Sequence, residues 1–196
     1  MLVTEYDCVP MNGRIALLLQ LDAHQPYDDH EARMMERLRR FVREHDDCFE
    51  RTLAVGHVTG SAWVTDLERE HVLLTHHVNL DKWLQLGGHA DGEPDVLKVA
   101  LREAQEESGL QEIKPLSVEI FDVDVHDIPA RGGQEAHFHY DVRFLFEADR
   151  RQPLQITAES KALAWVKITD VHKLTREESV LRMVAKTPPH KIVPGR

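Results

Sequence analysis

Three glutamates, Glu103, Glu106 and Glu107, have the i, i+3 and i+4 spacing that places side chains on one face of a helix. Carboxylates crowded in this way repel one another, which destabilises an ordinary helix and raises their pKa values. A hard divalent cation removes the repulsion, because Mg²⁺ and Mn²⁺ prefer carboxylate oxygen as a ligand. The spacing therefore indicates a metal site or, as the plainer alternative, a solvated acidic face.

The residues around these glutamates favour the metal site. Gly88 is followed, further along the chain, by the run Arg102-Glu103-Ala104-Gln105-Glu106-Glu107-Ser108-Gly109-Leu110. This segment resembles the Nudix box: Gly, five residues, Glu, seven residues, Arg-Glu, an aliphatic, any residue, Glu-Glu, any residue, Gly, an aliphatic. The interval from Gly88 to Arg102 is that of the family. The resemblance is far more specific than a glycine-rich loop alone, and it covers about residues 55–175.

The sequence departs from the family pattern at two positions. Pro94 stands where the box has its first Glu, with Glu93 and Asp95 on either side, and Ala104 is small where a larger aliphatic residue is usual. The role of the first acid is therefore either taken by Glu93 through a shifted loop or lost. The inner acidic core of the box is intact, so we still expect catalysis.

The resemblance implies a role for each box residue. Glu103, Glu106 and Glu107 are expected to bind the metal ions, Mg²⁺ or Mn²⁺. The backbone carbonyl of Gly87 is expected to be a further ligand, and Arg102 is expected to orient the acids.

Another acid is expected in a loop before a late strand, because family members carry one six residues ahead of a tryptophan. Glu159 precedes Trp165 by that interval, so we expect it to be an extra metal ligand or the general base. A surface loop acid is the alternative. The implied reaction is attack of water on a diphosphate linkage, with metal ions neutralising the phosphate oxygens and a carboxylate taking the proton of the water.

Histidines form the second group of residues that could do chemistry. His137 and His139 share one face of a predicted strand, and a His-x-His pair can ligate a transition metal, hydrogen-bond a phosphate or fill a polar sheet face. We expect substrate contact or structural polarity ahead of a dedicated zinc site. His89 follows Gly88 directly, so we expect it in the cleft, near the metals and the substrate.

Hydrophobic periodicity and turn residues predict the elements that must position these groups. Helices are predicted over residues 28–46, 94–108, 169–174 and 176–186, and residues 11–24 are predicted to be a short helix or a buried segment. Strands are predicted over residues 58–66, 71–77, 83–86, 118–127, 136–147 and 162–168, with Gly87, Gly88 and Gly92 in a loop. This order predicts an α/β fold. The resemblance implies a Nudix-like α/β/α sandwich with a mixed sheet (51–196) and an N-terminal helical extension (1–50).

Composition limits the classes of function. A net charge of −10 argues against non-specific binding along nucleic acid, which requires a basic surface. No apolar run approaches the length of a membrane span, so we expect a cytoplasmic protein without a membrane partner. Cys8 and Cys48 lie far apart without metal-ligand spacing, which favours two reduced thiols.

Three functions remain open from the sequence. The first is metal-dependent hydrolysis of a diphosphate linkage in a nucleoside diphosphate joined to another moiety, or in a similar small molecule. The second is a catalytically silent Nudix domain that senses nucleotides or binds a partner, which Pro94 favours. The third, a prenyl diphosphate isomerase on the same fold, would need a cysteine in the cleft, and both cysteines lie in the N-terminal extension. The N-terminal helices offer surface for a homodimer.

Overall fold

The computed structural model describes residues 12–130, 133 and 135–190, and it confirms the α/β fold. The helices are α1 (Gly13–Ala23), α2 (Asp29–Glu44), α3 (Val96–Ser108) and α4 (Glu178–Lys186), with a 3₁₀ helix at Ile168–Lys173. The strands are β1 (Gly56–Asp66), β2 (His71–His77), β3 (Lys82–Leu84), β4 (Leu86–His89), β5 (Ile113–Pro115), β6 (Asp122–Ile128), β7 (His137–Ala148) and β8 (Ser160–Lys167).

Among the described residues, eight strands form one mixed sheet with β1 near its centre. β1 runs parallel to β7 along its whole length and antiparallel to both β2 and β4. β7 also pairs antiparallel with β5 and β6, while β2 pairs with β3 and β8. β1 and β7 therefore bring residues that are distant in sequence side by side.

Hydrophobic clusters on both faces of this sheet make the predicted α/β/α sandwich. One cluster joins the sheet to α1, α2 and α3, and the other joins it to the 3₁₀ helix and α4. Alternation along β7 was predicted, and Phe144 and Phe146 are buried in the first cluster while Asp141 and Arg143 occupy the polar positions between apolar residues. No helix within the described ranges is long and apolar enough to cross a membrane.

The region around the glycine pair differs from the prediction. The single predicted strand 83–86 is two strands, and Gly87 and Gly88, expected in a loop, lie within β4 opposite Ser61 and Gly60. A Cβ atom at Gly87 would lie 2.7 Å from the Cα of Ser61, and its φ of 157° belongs to the region that favours glycine. Glycine therefore serves here for close strand pairing, not for a turn.

Other element boundaries also shift. α3 begins at Val96 instead of residue 94, because Asp95 caps it by accepting a hydrogen bond from the Lys98 amide at 3.2 Å. Its end at Gly109, in the left-handed conformation with φ 74°, agrees with the prediction. The predicted strand 118–127 begins only at Asp122, and the short β5 was not predicted.

The N-terminal helices pack into the same hydrophobic core as the sheet. Leu17, Leu21 and Leu38 are almost fully buried in the cluster that contains β1, β7 and α3. Gly13, at the start of α1, faces Pro94, since a Cβ atom added to Gly13 would lie 2.1 Å from the Pro94 Cβ. The division of the chain at residue 50 stays a prediction.

A buried ionic network ties these helices to the sheet and to the C-terminal part of the described chain. The Asp122 carboxylate accepts hydrogen bonds from Arg143 at 3.1 Å and from Arg182 at 2.9 Å. Lys186 Nζ donates to Asp122 at 3.0 Å and to Glu31 of α2 at 2.7 Å. Each charged side chain of this network therefore contacts at least one side chain of opposite charge, which offsets the free-energy cost of removing it from water.

Glu31 is the end of this network that lies on the N-terminal helices. Burial by itself would raise the pKa of Glu31, but hydrogen bonds from His24 and Lys186, and from the amide of Tyr27, lower it to about 2. The amide of Val123 donates to the same carboxylate. A carboxylate with a lowered folded-state pKa contributes stability above its unfolded pKa of 4.5 and loses it as the pH falls toward 2.

We predict that Glu31→Gln lowers the free energy of unfolding by about 3 kcal/mol above pH 5, from a pKa difference of roughly 2.5 units. Urea unfolding at several pH values measures this loss, which should shrink as the pH falls below 4.5. Glu36→Gln, on an exposed position of the same helix, is the control and should change stability by less than about 0.5 kcal/mol. Equal effects of the two substitutions would contradict the assignment.

Candidate active site

The three predicted glutamates lie on one side of α3, but in very different surroundings. Glu107 is buried, the Glu103 side chain is 15% exposed, and the Glu106 side chain is 62% exposed. The face is therefore not the solvated acidic surface that was the plainer alternative. It runs from the protein interior to solvent within one helical turn.

Gly87 and Gly88 bring the strand β4 directly against the two inner carboxylates. The amide of Gly87 donates a hydrogen bond to Glu107 Oε2 at 3.3 Å. A Cβ atom at Gly88 would lie 2.4 Å from Glu103 Oε2, so a larger residue at this position would displace the Glu103 carboxylate. The described contacts of Gly87 involve its amide, and the role of its carbonyl as a metal ligand stays a prediction.

Glu107 has no positively charged partner among the described residues. Burial raises the pKa of Glu107 to about 8, against a weaker opposite effect of the Gly87 amide, and the charges of Glu103 and Glu159 add to the rise. Burial also raises the pKa of Glu103. Both acids have raised pKa values and lie against the backbone of β4, and their carboxylate oxygens are donors of the kind that a hard divalent cation prefers.

Arg102 lies where the resemblance implied, beside Glu103. Its Nη2 is 3.0 Å from Glu103 Oε1 and donates to the backbone carbonyl of His89 at 2.8 Å. Its distance to the nearest oxygen of Glu106 is 4.0 Å. Because it holds both the acid on α3 and the end of β4, Arg102 fixes the Glu103 carboxylate relative to the glycine pair.

Glu159 lies in the turn directly before β8, on the exposed surface. Its backbone carbonyl accepts a hydrogen bond from Val78 at 2.9 Å, which ties the turn to the end of β2. Its charge is close enough to raise the pKa of both Glu103 and Glu107. The fold therefore brings Glu159 into electrostatic range of the box, although about fifty residues separate them in the sequence.

The outer acid of the box has no direct replacement among its neighbours in sequence. Pro94 packs against Gly13 of α1. The Glu93 carboxylate is engaged by Lys98 and by the amide of Asp95 at 3.2 Å. Pro94 thus serves the contact between the box loop and the N-terminal helix, and Glu93 serves the start of α3.

Sequence reasoning missed an ion pair beside the box. Arg51 Nη2 donates to Asp91 Oδ2 at 2.6 Å, and the Arg51 side chain is about half exposed. The hydrogen bond to Asp91 is the main cause of the raised pKa of Arg51, and Glu103 and Glu159 contribute to it. The signal in the sequence was weak, since a single Arg after α2 has no motif around it.

The predicted histidines come together, with one that was not predicted. His89, His137 and His139 surround the ring of His57, which lies in β1 directly opposite His139. Ring centroids within this group are 4.8 to 5.2 Å apart. Burial lowers the pKa of His57 to about 4 and that of His139 to about 3, so both imidazoles are neutral at pH 7.

Cys48 does not fit the isomerase interpretation. Cys48 is a free, fully buried thiol in the core, and burial raises its pKa to about 12. A thiol with this pKa is a poor nucleophile. Cys8 lies outside the described residues.

A family model described as the NUDIX domain matches residues 57–186, which include the glycine pair, α3 and the turn of Glu159. The chain belongs to the Nudix family. The predicted resemblance is thereby confirmed, and membership of the Nudix family, together with the intact inner core of the box, supports the general assignment as a Nudix pyrophosphohydrolase. A search of curated proteins gave no match.

Solved structures agree on the Nudix fold. A C. elegans Ap4A hydrolase in a binary complex has a TM-score of 0.53 at 16% identity, covering 66% of this chain and 93% of its own. The M. smegmatis Nudix hydrolase RenU has a TM-score of 0.51 at 20% identity, covering 68% of this chain and 89% of its own. The E. coli dihydroneopterin triphosphate pyrophosphohydrolase has a TM-score of 0.51 at 15% identity, covering 66% of this chain and 92% of its own. At these identities the likeness shows the fold.

We predict that Glu107→Gln stabilises the metal-free protein at pH 8 by about 4 kcal/mol. The folded-state pKa of about 8 lies above the unfolded value of 4.5, so the wild-type protein loses stability as the pH rises through this window. Glutamine keeps an acceptor for the Gly87 amide without the buried charge. Thermal or urea unfolding in the presence of chelator measures the difference.

The difference should disappear below about pH 3.5, where the Glu107 carboxyl is protonated in both the folded and the unfolded protein. Glu106→Gln is the matched control, because its side chain is largely exposed and should change stability by less than about 0.5 kcal/mol. A Glu107→Gln protein less stable than the wild type at pH 8 would contradict the account.

Proposed function

We propose that this chain is a Mg²⁺- or Mn²⁺-dependent hydrolase that cleaves the diphosphate linkage of a nucleoside diphosphate joined to another moiety, or of a similar small molecule. The observation that carries the proposal is the buried Glu107 and the partly buried Glu103 against Gly87 and Gly88. Two enclosed carboxyls with raised pKa values are costly as anions unless a cation binds them.

The donor set fits a hard cation. Glu103, Glu106 and Glu107 offer carboxylate oxygens at three depths along α3, and the carbonyl of Gly87 is a fourth candidate ligand. When bound, Mg²⁺ would supply charge neutralisation of the phosphate oxygens and a lower pKa for an attacking water. Arg102 positions Glu103 for this role through the ion pair at 3.0 Å.

Glu159 is our candidate for the general base. It is exposed in the turn before β8, so water and substrate can reach it, and its charge influences both inner glutamates. In the proposed reaction, a water oxygen forms a bond to phosphorus while the bond from phosphorus to the bridging oxygen breaks. The water proton passes to the Glu159 carboxylate, and the bridging oxygen leaves with the second phosphoryl group. Glu103 is the alternative base.

The substrate class needs a direct test. Purified protein would be incubated with nucleoside triphosphates, dinucleoside polyphosphates, sugar nucleotides, coenzyme A and dihydroneopterin triphosphate, each with Mg²⁺, Mn²⁺ or chelator. The panel includes compound classes on which fold neighbours act according to their names, such as Ap4A. Metal-dependent release from one class would support the hydrolase and identify its substrate.

A silent binding module is the second candidate, because Pro94 replaces an acid of the box and packs against Gly13. Nucleotide binding by calorimetry without turnover of any compound, in the presence of either metal, would favour this module over the hydrolase. The expected cytoplasmic location and the possible homodimer stay predictions.

We predict that Glu159→Gln lowers kcat for the substrate found in the panel by about 10²- to 10⁴-fold, the range for loss of a general base. KM should change little, because the box glutamates remain. Glu112→Gln, at an exposed position beyond the end of α3, is the control and should leave kcat unchanged. An unchanged kcat in Glu159→Gln would remove this residue from the chemistry and leave Glu103 as the base.

A further inference from the structure

Four histidines meet where the strands β1, β4 and β7 run side by side. His57 of β1 lies opposite His139 of β7 in the parallel register, and His89 of β4 lies opposite the neighbouring Thr59. His137 is two residues before His139 and therefore projects from the same side of β7. The group differs in ligand chemistry from the carboxylates of α3, because the atoms that it offers to a metal are all imidazole nitrogens.

The distances within this group fit metal coordination. The Nε2 atoms of His137 and His139 are 3.3 Å apart. Two imidazole nitrogens bound to one tetrahedral zinc ion, at about 2.0 to 2.1 Å each, lie about 3.3 to 3.4 Å apart. One ring nitrogen from each of His57, His137 and His139 can be chosen so that the three lie within 4.8 Å of one another.

His57 provides a second, independent observation. Its side chain is buried, with 3% of the residue exposed, yet neither ring nitrogen has a hydrogen-bond partner among the described residues. A buried polar nitrogen without a partner costs free energy. A metal ion bound to one ring nitrogen would give that nitrogen a partner, which no described side chain provides.

The orientation of His137 is also that of a ligand. Its Nδ1 lies 2.9 Å from the carbonyl oxygen of Glu135 and donates to it, which leaves the lone pair on Nε2. A histidine that gives its other N–H to a backbone carbonyl is the usual second-shell arrangement around a bound metal. In the metal-free protein this lone pair accepts a hydrogen bond from His139 Nε2 at 3.3 Å, and a cation bound by both nitrogens would replace that hydrogen bond.

We propose that His57, His137 and His139 bind one transition-metal ion of the zinc class, separate from the hard cation of the box. Imidazole nitrogen suits zinc, cobalt, nickel and copper, whereas Mg²⁺ prefers oxygen. Three protein ligands leave the fourth tetrahedral position for water or for an oxygen of an anionic ligand. His89 borders this position, with its ring centroid 4.9 Å from that of His57 and 5.0 Å from that of His139.

The test is a titration of the full chain, freed of metal by chelator, with Co²⁺ and with Zn²⁺. Excess Mg²⁺ is kept present so that the carboxylates of α3 are occupied. We expect one Co²⁺ per chain with the intense visible bands of tetrahedral cobalt, and displacement of Co²⁺ by an equimolar amount of Zn²⁺. Calorimetry gives the stoichiometry and the affinity for Zn²⁺ without any enzymatic readout.

Variants of the ligands decide whether this cluster is the site. His137→Gln and His139→Gln should each weaken Zn²⁺ binding by at least about 100-fold, the upper end of the loss for a second-shell partner. His137 is partly exposed, so its variant should fold, and circular dichroism checks this. His172→Gln, at an exposed position of the 3₁₀ helix, is the matched control and should bind Zn²⁺ as the wild type does.

Glu107→Gln separates this proposal from the proposed function. It should lose Mg²⁺-dependent hydrolysis and keep the tetrahedral cobalt spectrum, because the two sites share no ligand. Octahedral cobalt bands, the absence of a one-to-one complex, or unchanged Zn²⁺ affinity in folded His137→Gln and His139→Gln would each overturn the proposal. If the protein cleaves none of the compounds tested but binds Co²⁺ in this way, the proposed histidine site is supported although the proposed hydrolysis is not.

Discussion

The enclosure of Glu107, and in part of Glu103, against the two glycines of β4 is the constraint on which the rest of this structure depends. A carboxyl enclosed by protein backbone costs free energy as an anion, and the rise in the pKa of Glu107 to about 8 expresses that cost. Among the described residues, no lysine or arginine pairs with Glu107. Arg102 pairs with Glu103 at 3.0 Å and lies 4.0 Å from Glu106.

The central sheet is arranged to hold that contact. β1 lies between β4 and β7, and Gly60 lets α3 approach the sheet, since a Cβ atom there would lie 2.9 Å from the carbonyl oxygen of Val96. The same pairing of β1 with β7 brings His57 beside His139. The position of β1 therefore determines both sites. Its antiparallel pairing with β4 positions the glycines of the carboxylate site, and its parallel pairing with β7 positions His57 beside His139.

Local pattern predicted the parts of the site that are contiguous in sequence. The spacing of Glu103, Glu106 and Glu107 and the stop at Gly109 are sufficient to place α3, because helical periodicity and glycine conformation are local properties. The sequence pattern did not predict that Gly87 and Gly88 lie in a strand, because glycines more often mark turns. It also missed His57, whose role depends on strand register between β1 and β7, and register is a long-range property.

The measurement that tests the central claim most directly is proton release on Mg²⁺ binding. Titration calorimetry at pH 7 in two buffers of different ionisation enthalpy gives the number of protons released per ion bound. With its pKa at about 8, Glu107 is mostly protonated without metal, so a ligand role predicts release of close to one proton. Binding of Mg²⁺ without proton release, or no binding at all, would contradict the account.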